Sequence, residues 1–153
     1  MRALLQRVTG AEVRVEGELK GRCGRGYLVL LGVGPNDDEA TAQRLWDKVR
    51  RLRVFDDEDG RMNLSLADVG GEVLVVSQFT LYAQTRHGNR PGFTGAARPD
   101  VAVPLYERFC ELAEGDCPHV GRGVFGADMQ VSLVNDGPVT IWLDTDELAG
   151  PRW

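Results

Sequence analysis

Histidine is scarce here: His87 and His119 are the only two in 153 residues. A histidine-rich metal centre is therefore not expected. Cysteine is nearly as rare, and Cys23, Cys110 and Cys117 contain no C-x-x-C pair. That odd, scattered set fits neither a disulfide framework nor a standard zinc site. No apolar run approaches the roughly 20 residues that cross a bilayer. The opening Met1-Arg2-Ala3-Leu4-Leu5-Gln6-Arg7 turns charged too soon for a signal peptide, so a cytoplasmic location without a membrane partner is expected. Familiar catalytic signatures are missing too: there is no G-x-S-x-G elbow, no H-E-x-x-H and no complete G-x-x-x-x-G-K-[ST]. Gly21, Gly24 and Gly26 lack dinucleotide spacing. The acidic run at 56–60 lacks the downstream Glu of a calcium loop and reads as a solvated turn. Neither a metal nor an organic cofactor is called for.

Acidic residues outnumber basic ones, 23 to 18, for a net charge of −5. That balance disfavours bulk electrostatic capture of long nucleic acids, and no DNA partner is expected. The distribution says more than the sum. No Asp or Glu occurs from Val73 through Pro99, whereas Arg86, His87, Arg90 and Arg98 all do. Such a stretch suits a surface that holds a few phosphates, and equally a solvated loop.

Hydrophobic residues at 42% and charged residues at 27% are globular proportions that argue against disorder. One compact α/β domain is expected over 1–146, with mixed, largely antiparallel β-sheets and packed α-helices, followed by a C-terminal tail at 147–153. Residues 3–8, 12–15 and 19–23 alternate apolar and polar between glycines, as short antiparallel strands do. Continuous apolar runs at 27–33 and 73–79 suit strands covered on both faces. Asn36, Asp37, Asp38 and Glu39 supply N-cap and first-turn carboxylates for a helix from Asp38 to about Arg53. Its buried stripe would be Ala42, Leu45, Trp46, Val49 and Leu52. A second helix is predicted over 103–114, with Pro104 in its first turn. Residues 128–135 and 139–144 read as a final strand pair. The Gly-, Pro- and Arg-rich stretch 88–99 is too long for a simple connector, so it is either functional or mobile.

Two segments do not look like ordinary core. In Ser77-Gln78-Phe79-Thr80-Leu81 an apolar strand ends in side chains that donate and accept hydrogen bonds. A strand end can present such groups to a ligand, or they can satisfy the next turn. Asn135-Asp136-Gly137-Pro138-Val139-Thr140 lies between apolar strands, where its composition is that of a tight hairpin.

Together these two stretches resemble the two signature motifs of the D-aminoacyl-tRNA deacylase family. Further similarity runs through Gln6-Arg7-Val8, Leu30-Leu31-Gly32-Val33, Met62-Asn63-Leu64, Gly88-Asn89-Arg90-Pro91 and Phe125 to Leu133, covering roughly residues 1 to 145. Gly92 stands where the family generally has Ser, Tyr82 replaces a small residue, and Val124 looks like an insertion. The resemblance implies hydrolysis of the ester between a D-aminoacyl group and the terminal ribose of tRNA, with glycyl esters also accepted and L-aminoacyl esters rejected. It implies a homodimer with its sites at the interface, where a cis Gly137-Pro138 element of one subunit enters the pocket of the other. Ser77, Gln78, Phe79 and Thr80 would be catalytic; Gly137, Pro138, Asn135 and Met129 would bind substrate and reject the L-enantiomer. Arg86, Arg90 and Arg98 are the candidate tRNA contacts. Thr80 is open to two roles, nucleophile or positioning group, since the motif contains no obvious base for it. The rival classes are a general esterase, a non-catalytic RNA-binding module and a purely structural dimer.

Overall fold

The computed structural model describes residues 1–150; Pro151, Arg152 and Trp153 of the expected tail lie outside the described residues. One long strand organises the chain. β1 (Arg2–Val15) pairs antiparallel with β2 (Glu18–Cys23), with β3 (Gly26–Gly32) and, on its other edge, with β8 (Gln130–Asp144). Beyond β3 the sheet continues through β6 (Glu72–Ser77) and β7 (Val120–Arg122), both parallel to their neighbours. A small hairpin, β4 (Phe55–Asp56) with β5 (Met62–Leu64), stands apart. The sheet curls until β2 meets β7. A Cβ at Gly21 would lie 2.3 Å from the Arg122 carbonyl oxygen, and one at Gly121 equally close to that of Arg22. Only glycine lets two backbones approach this far.

The apolar runs are strands with both faces buried. Tyr27, Val29, Leu31, Val73 and Val75 join the larger core; Leu28, Leu74 and Val76 join a second cluster with Val8, Ala11, Val13 and Cys23. Two helices cover the larger core. α1 (Glu39–Arg51) is opened by Asp38, whose carboxylate accepts from the Thr41 amide at 2.9 Å, while the Thr41 hydroxyl lies 3.2 Å from the Asp38 amide. This reciprocal cap satisfies two backbone donors and holds the Asp38 carboxyl below the usual carboxylate range. α2 (Pro99–Asp116) packs on it, with Trp46 edge-on to Phe109 at 5.6 Å between ring centres.

Several expectations need correction. The strands at 3–8 and 12–15 are one, because β8 and then β3 and β2 supply partners along the full length of β1. The strand from Val73 ends at Ser77, and Phe79–Tyr82 forms a 3₁₀ turn. α2 begins four residues before 103, with Pro99 in its first turn, so Pro104 falls in the second turn. Residues 135–140 do not make a hairpin. Both flanks pair with the same edge of β1, Asn135 opposite Val8 and Thr140 opposite Gln6. The four residues between them are extruded from a strand that keeps its direction. A short α3 (Thr145–Leu148) follows β8.

Candidate active site

Parallel pairing places the ends of β3 and β6 side by side, Leu31 opposite Ser77, and the chain turns sharply there. The Gln78 amide donates to the Leu31 carbonyl at 2.7 Å, and the turn Phe79–Tyr82 follows. Phe79 and Thr80 are its first two residues, so their N–H groups have no partner within the turn. Thr80 is exposed, and its hydroxyl accepts a hydrogen bond from the Gln78 side-chain amide.

A cavity of about 620 Å³ opens beside this turn. Ser77, Gln78, Phe79 and Arg98 line it, with Tyr106 and Phe125 among its apolar walls. Phe79, 57% exposed, meets Phe93 edge-on at 5.0 Å. Tyr106 is buried and its hydroxyl donates to the Val75 carbonyl at 2.9 Å, while burial pushes its phenol well above the ordinary range. Among the described residues, the lining contains no His, Asp, Glu, Lys or Cys. All three thiols lie elsewhere. Burial raises Cys23 to about 11, helped by Glu72, and raises Cys110 and Cys117 to about 12, so none is a ready thiolate near neutral pH.

The remaining predicted residues divide. Arg98 sits at the N-cap of α2 and on the cavity lining. Arg86 and Arg90 are exposed on the loop closed by the Gln84–Gly92 bridge. Among the described residues, none of these three arginines is in an ion pair. Met129 is half-buried against the second core cluster, its sulfur 3.4 Å from the Val124 amide. Thr80, Met129, Asn135, Gly137 and Pro138 do not line the cavity of their own chain.

Asn135 closes the base of the extruded segment: its Oδ1 accepts from the Val139 amide at 2.8 Å, and its Nδ2 donates to Thr140 Oγ1 at 3.0 Å. The Gly137–Pro138 bond is cis, and both residues are exposed. A residue not singled out for the site, Arg7, grips the same segment. It is 7% exposed; its Nε donates to the Asp136 carbonyl at 2.8 Å and its Nη1 to the Val54 carbonyl at 2.6 Å. The signal was there to read: Ala3, Leu5 and Arg7 share one face of β1, so a cation occupies a core position in an apolar run. Phe93, Tyr106 and Phe125 gave no comparable signal, being ordinary aromatics until the fold gathers them.

Comparison with known proteins agrees with this architecture. Residues 4–144 match the family model described as D-Tyr-tRNA(Tyr) deacylase. A D-aminoacyl-tRNA deacylase of Roseiflexus castenholzii is 56% identical, covering 99% of this chain and 97% of the relative. One from Thermomicrobium roseum is 57% identical over 98% and 97%. Among solved structures, one described as c-Myc DNA Unwinding Element Binding Protein has a TM-score of 0.89 at 41% identity, covering 94% of this chain and 98% of that one. A probable eukaryotic D-amino acid tRNA deacylase shares the fold at a TM-score of 0.77 and 20% identity, covering 93% and 97%. With the family model spanning nearly the whole chain and close relatives matching end to end, this protein belongs to the D-Tyr-tRNA(Tyr) deacylase family.

Proposed function

We infer that the protein hydrolyses the ester joining a D-aminoacyl group to the terminal ribose of tRNA, and that it works as a homodimer with shared sites. The observation that carries this reading is that the turn whose Phe79 and Thr80 amides have no partner within it borders a cavity whose lining, among the described residues, holds no His, Asp, Glu, Lys or Cys. Ester hydrolysis passes through a tetrahedral oxyanion, and two fixed N–H donors in the turn that follows β6 are suited to stabilise it. Loss of one such donor typically costs about 100- to 1,000-fold in rate.

Thr80, hydrogen-bonded to Gln78 and without a basic partner, acts in this reading as a positioning group. The ribose 2′-hydroxyl of the substrate helps to activate water. The exposed Gly137–Pro138 corner, braced by Arg7 and Asn135, enters the cavity of the partner subunit. There its carbonyls hold the substrate α-amino group and fill the space an L side chain would need. In this reading Met129 comes to the edge of that pocket only in the dimer, since it does not line the cavity of its own chain. Glycine, with no side chain to clash, is accepted. Arg86, Arg90 and Arg98 contact tRNA phosphates.

Release of D-tyrosine, L-tyrosine and glycine from matched charged tRNAs tests the assignment. Rapid release of D-tyrosine and glycine with L-tyrosyl-tRNA left intact is expected; equal hydrolysis of the L ester would contradict it. Thr80→Ala is expected to keep substantial turnover. Complete loss, with folding and binding intact, would instead make Thr80 the nucleophile.

A further inference from the structure

Outside the cavity, the best-organised cluster of charge and aromatic surface lies behind the Phe79–Tyr82 turn and centres on Arg2. On β1, Arg2 stands opposite Gly32 of β3 and opposite Asp144 of β8. Gly32 is where the turn docks: a Cβ there would lie 3.1 Å from the Gln78 carbonyl oxygen and 3.2 Å from both Leu81 Cβ and Tyr82 Cε2. Into this corner Arg2 sends four interactions. Its Nη1 donates to the Leu81 carbonyl at 2.9 Å and its Nε to Asp144 Oδ2 at 3.0 Å. Its guanidinium carbon lies 4.3 Å from the centre of the Tyr82 ring and 5.5 Å from that of Trp142.

Each contact constrains a different freedom of the turn. The hydrogen bond fixes the Leu81 carbonyl, one residue beyond Thr80. Cation–π attraction, effective within about 6 Å, holds Tyr82 against the backbone at Gly32 and Gly34; a Cβ at Gly34 would approach the Tyr82 hydroxyl to 2.9 Å. Asp144, only 9% exposed, anchors the guanidinium to β8. A planar fork that can donate in two directions while stacking is a property of arginine and not of lysine.

We propose that Arg2 is a positioning residue for hydrolysis: through Leu81 and Tyr82 it sets the orientation of the Phe79 and Thr80 amides. This role rests on the reading above that those amides are the oxyanion donors. Tyr82 gives Arg2 a stacking partner.

Kinetics on D-tyrosyl-tRNA test the role. Arg2→Met keeps an unbranched stem over Tyr82 but removes the guanidinium; it is expected to lower kcat by about tenfold with KM changed less than about twofold. Arg2→Lys, which retains charge and stem and so protects against simple misfolding, is expected to lose about threefold in kcat. Val49→Ala, a core truncation on α1 outside the cavity lining, serves as the stability control, with a lowered Tm and unchanged kcat. The amide resonances of Phe79 and Thr80, recorded without substrate, should shift in both Arg2 variants and not in Val49→Ala. An Arg2→Met enzyme with kcat within twofold of the parent overturns the proposal, as does an equal kcat loss in Val49→Ala. If the unsubstituted protein leaves D-tyrosyl-tRNA intact, the functional reading and this role fall together; if it is active and only the Arg2 variants are indifferent, this role alone falls.

Discussion

Gly137 shows how tightly one position is specified. Its φ is +151°, and an added Cβ would sit 2.6 Å from the Val139 amide nitrogen and 2.7 Å from Val139 Cγ2. Neither neighbour can yield without moving the segment that Arg7 and Asn135 hold. Gly137→Ala is therefore expected to displace the corner while leaving the buried cores intact. Single-turnover deacylation should fall by about 100-fold, the usual cost of a misplacement near 1 Å, and a thermal melt should show a cooperative transition close to that of the parent. An undiminished rate would remove the corner from the mechanism. Asn135, Gly137 and Pro138 stand out in the sequence only through the resemblance of the 135–140 stretch to a family motif; by residue type alone they read as a turn. Arg7 could have been named, as a charge in the core phase of a strand. The closing together of Phe93, Tyr106 and Phe125 could not, since each is a common apolar residue placed by distant elements.

At the level of elements, α1 is legible to within two residues at each end, because its cap and its buried stripe are both local signals. The two continuous apolar strands were legible for the same reason. What escaped was everything that depends on partners. The union of the first two strands, the extrusion within β8 and the short β7 each follow from which edge is available for pairing, and no local pattern encodes that. The start of α2 is not fixed by the sequence, because Pro99 suits a first helical turn as well as a loop. Packing between the helices supplies a test at this scale. Phe109 is fully buried and meets Trp46 edge-on, so Phe109→Ala should cost about 3–5 kcal/mol in urea unfolding. A loss below about 1 kcal/mol would mean that α2 contributes little to the shared core.

For the whole molecule, the cavity and the Gly137–Pro138 corner are on different parts of one chain, and the proposed function brings them together across two subunits. Subunit mixing measures this directly. Phe79→Pro puts proline at the first position of the turn and removes one amide donor. Alone, it and Gly137→Ala should each be nearly inactive. Unfolded together and refolded as an equal mixture, they should recover about a quarter of parental activity, because half the dimers are mixed and each mixed dimer has one intact site. No recovery, with mixed dimers demonstrated by mass, would confine the site to one chain.

The missing base has a practical side. Reagents that find hydrolases by covalent capture rely on a side chain made reactive by its neighbours: phosphonates on activated serines, alkylators on thiolates. Ser77 has no histidine beside it in the cavity lining, and the three thiols are protonated and placed elsewhere. Labelling surveys of a cell extract would pass over this enzyme at full activity, and inhibitors for it would have to win by shape, as mimics of the aminoacylated end of the nucleic acid.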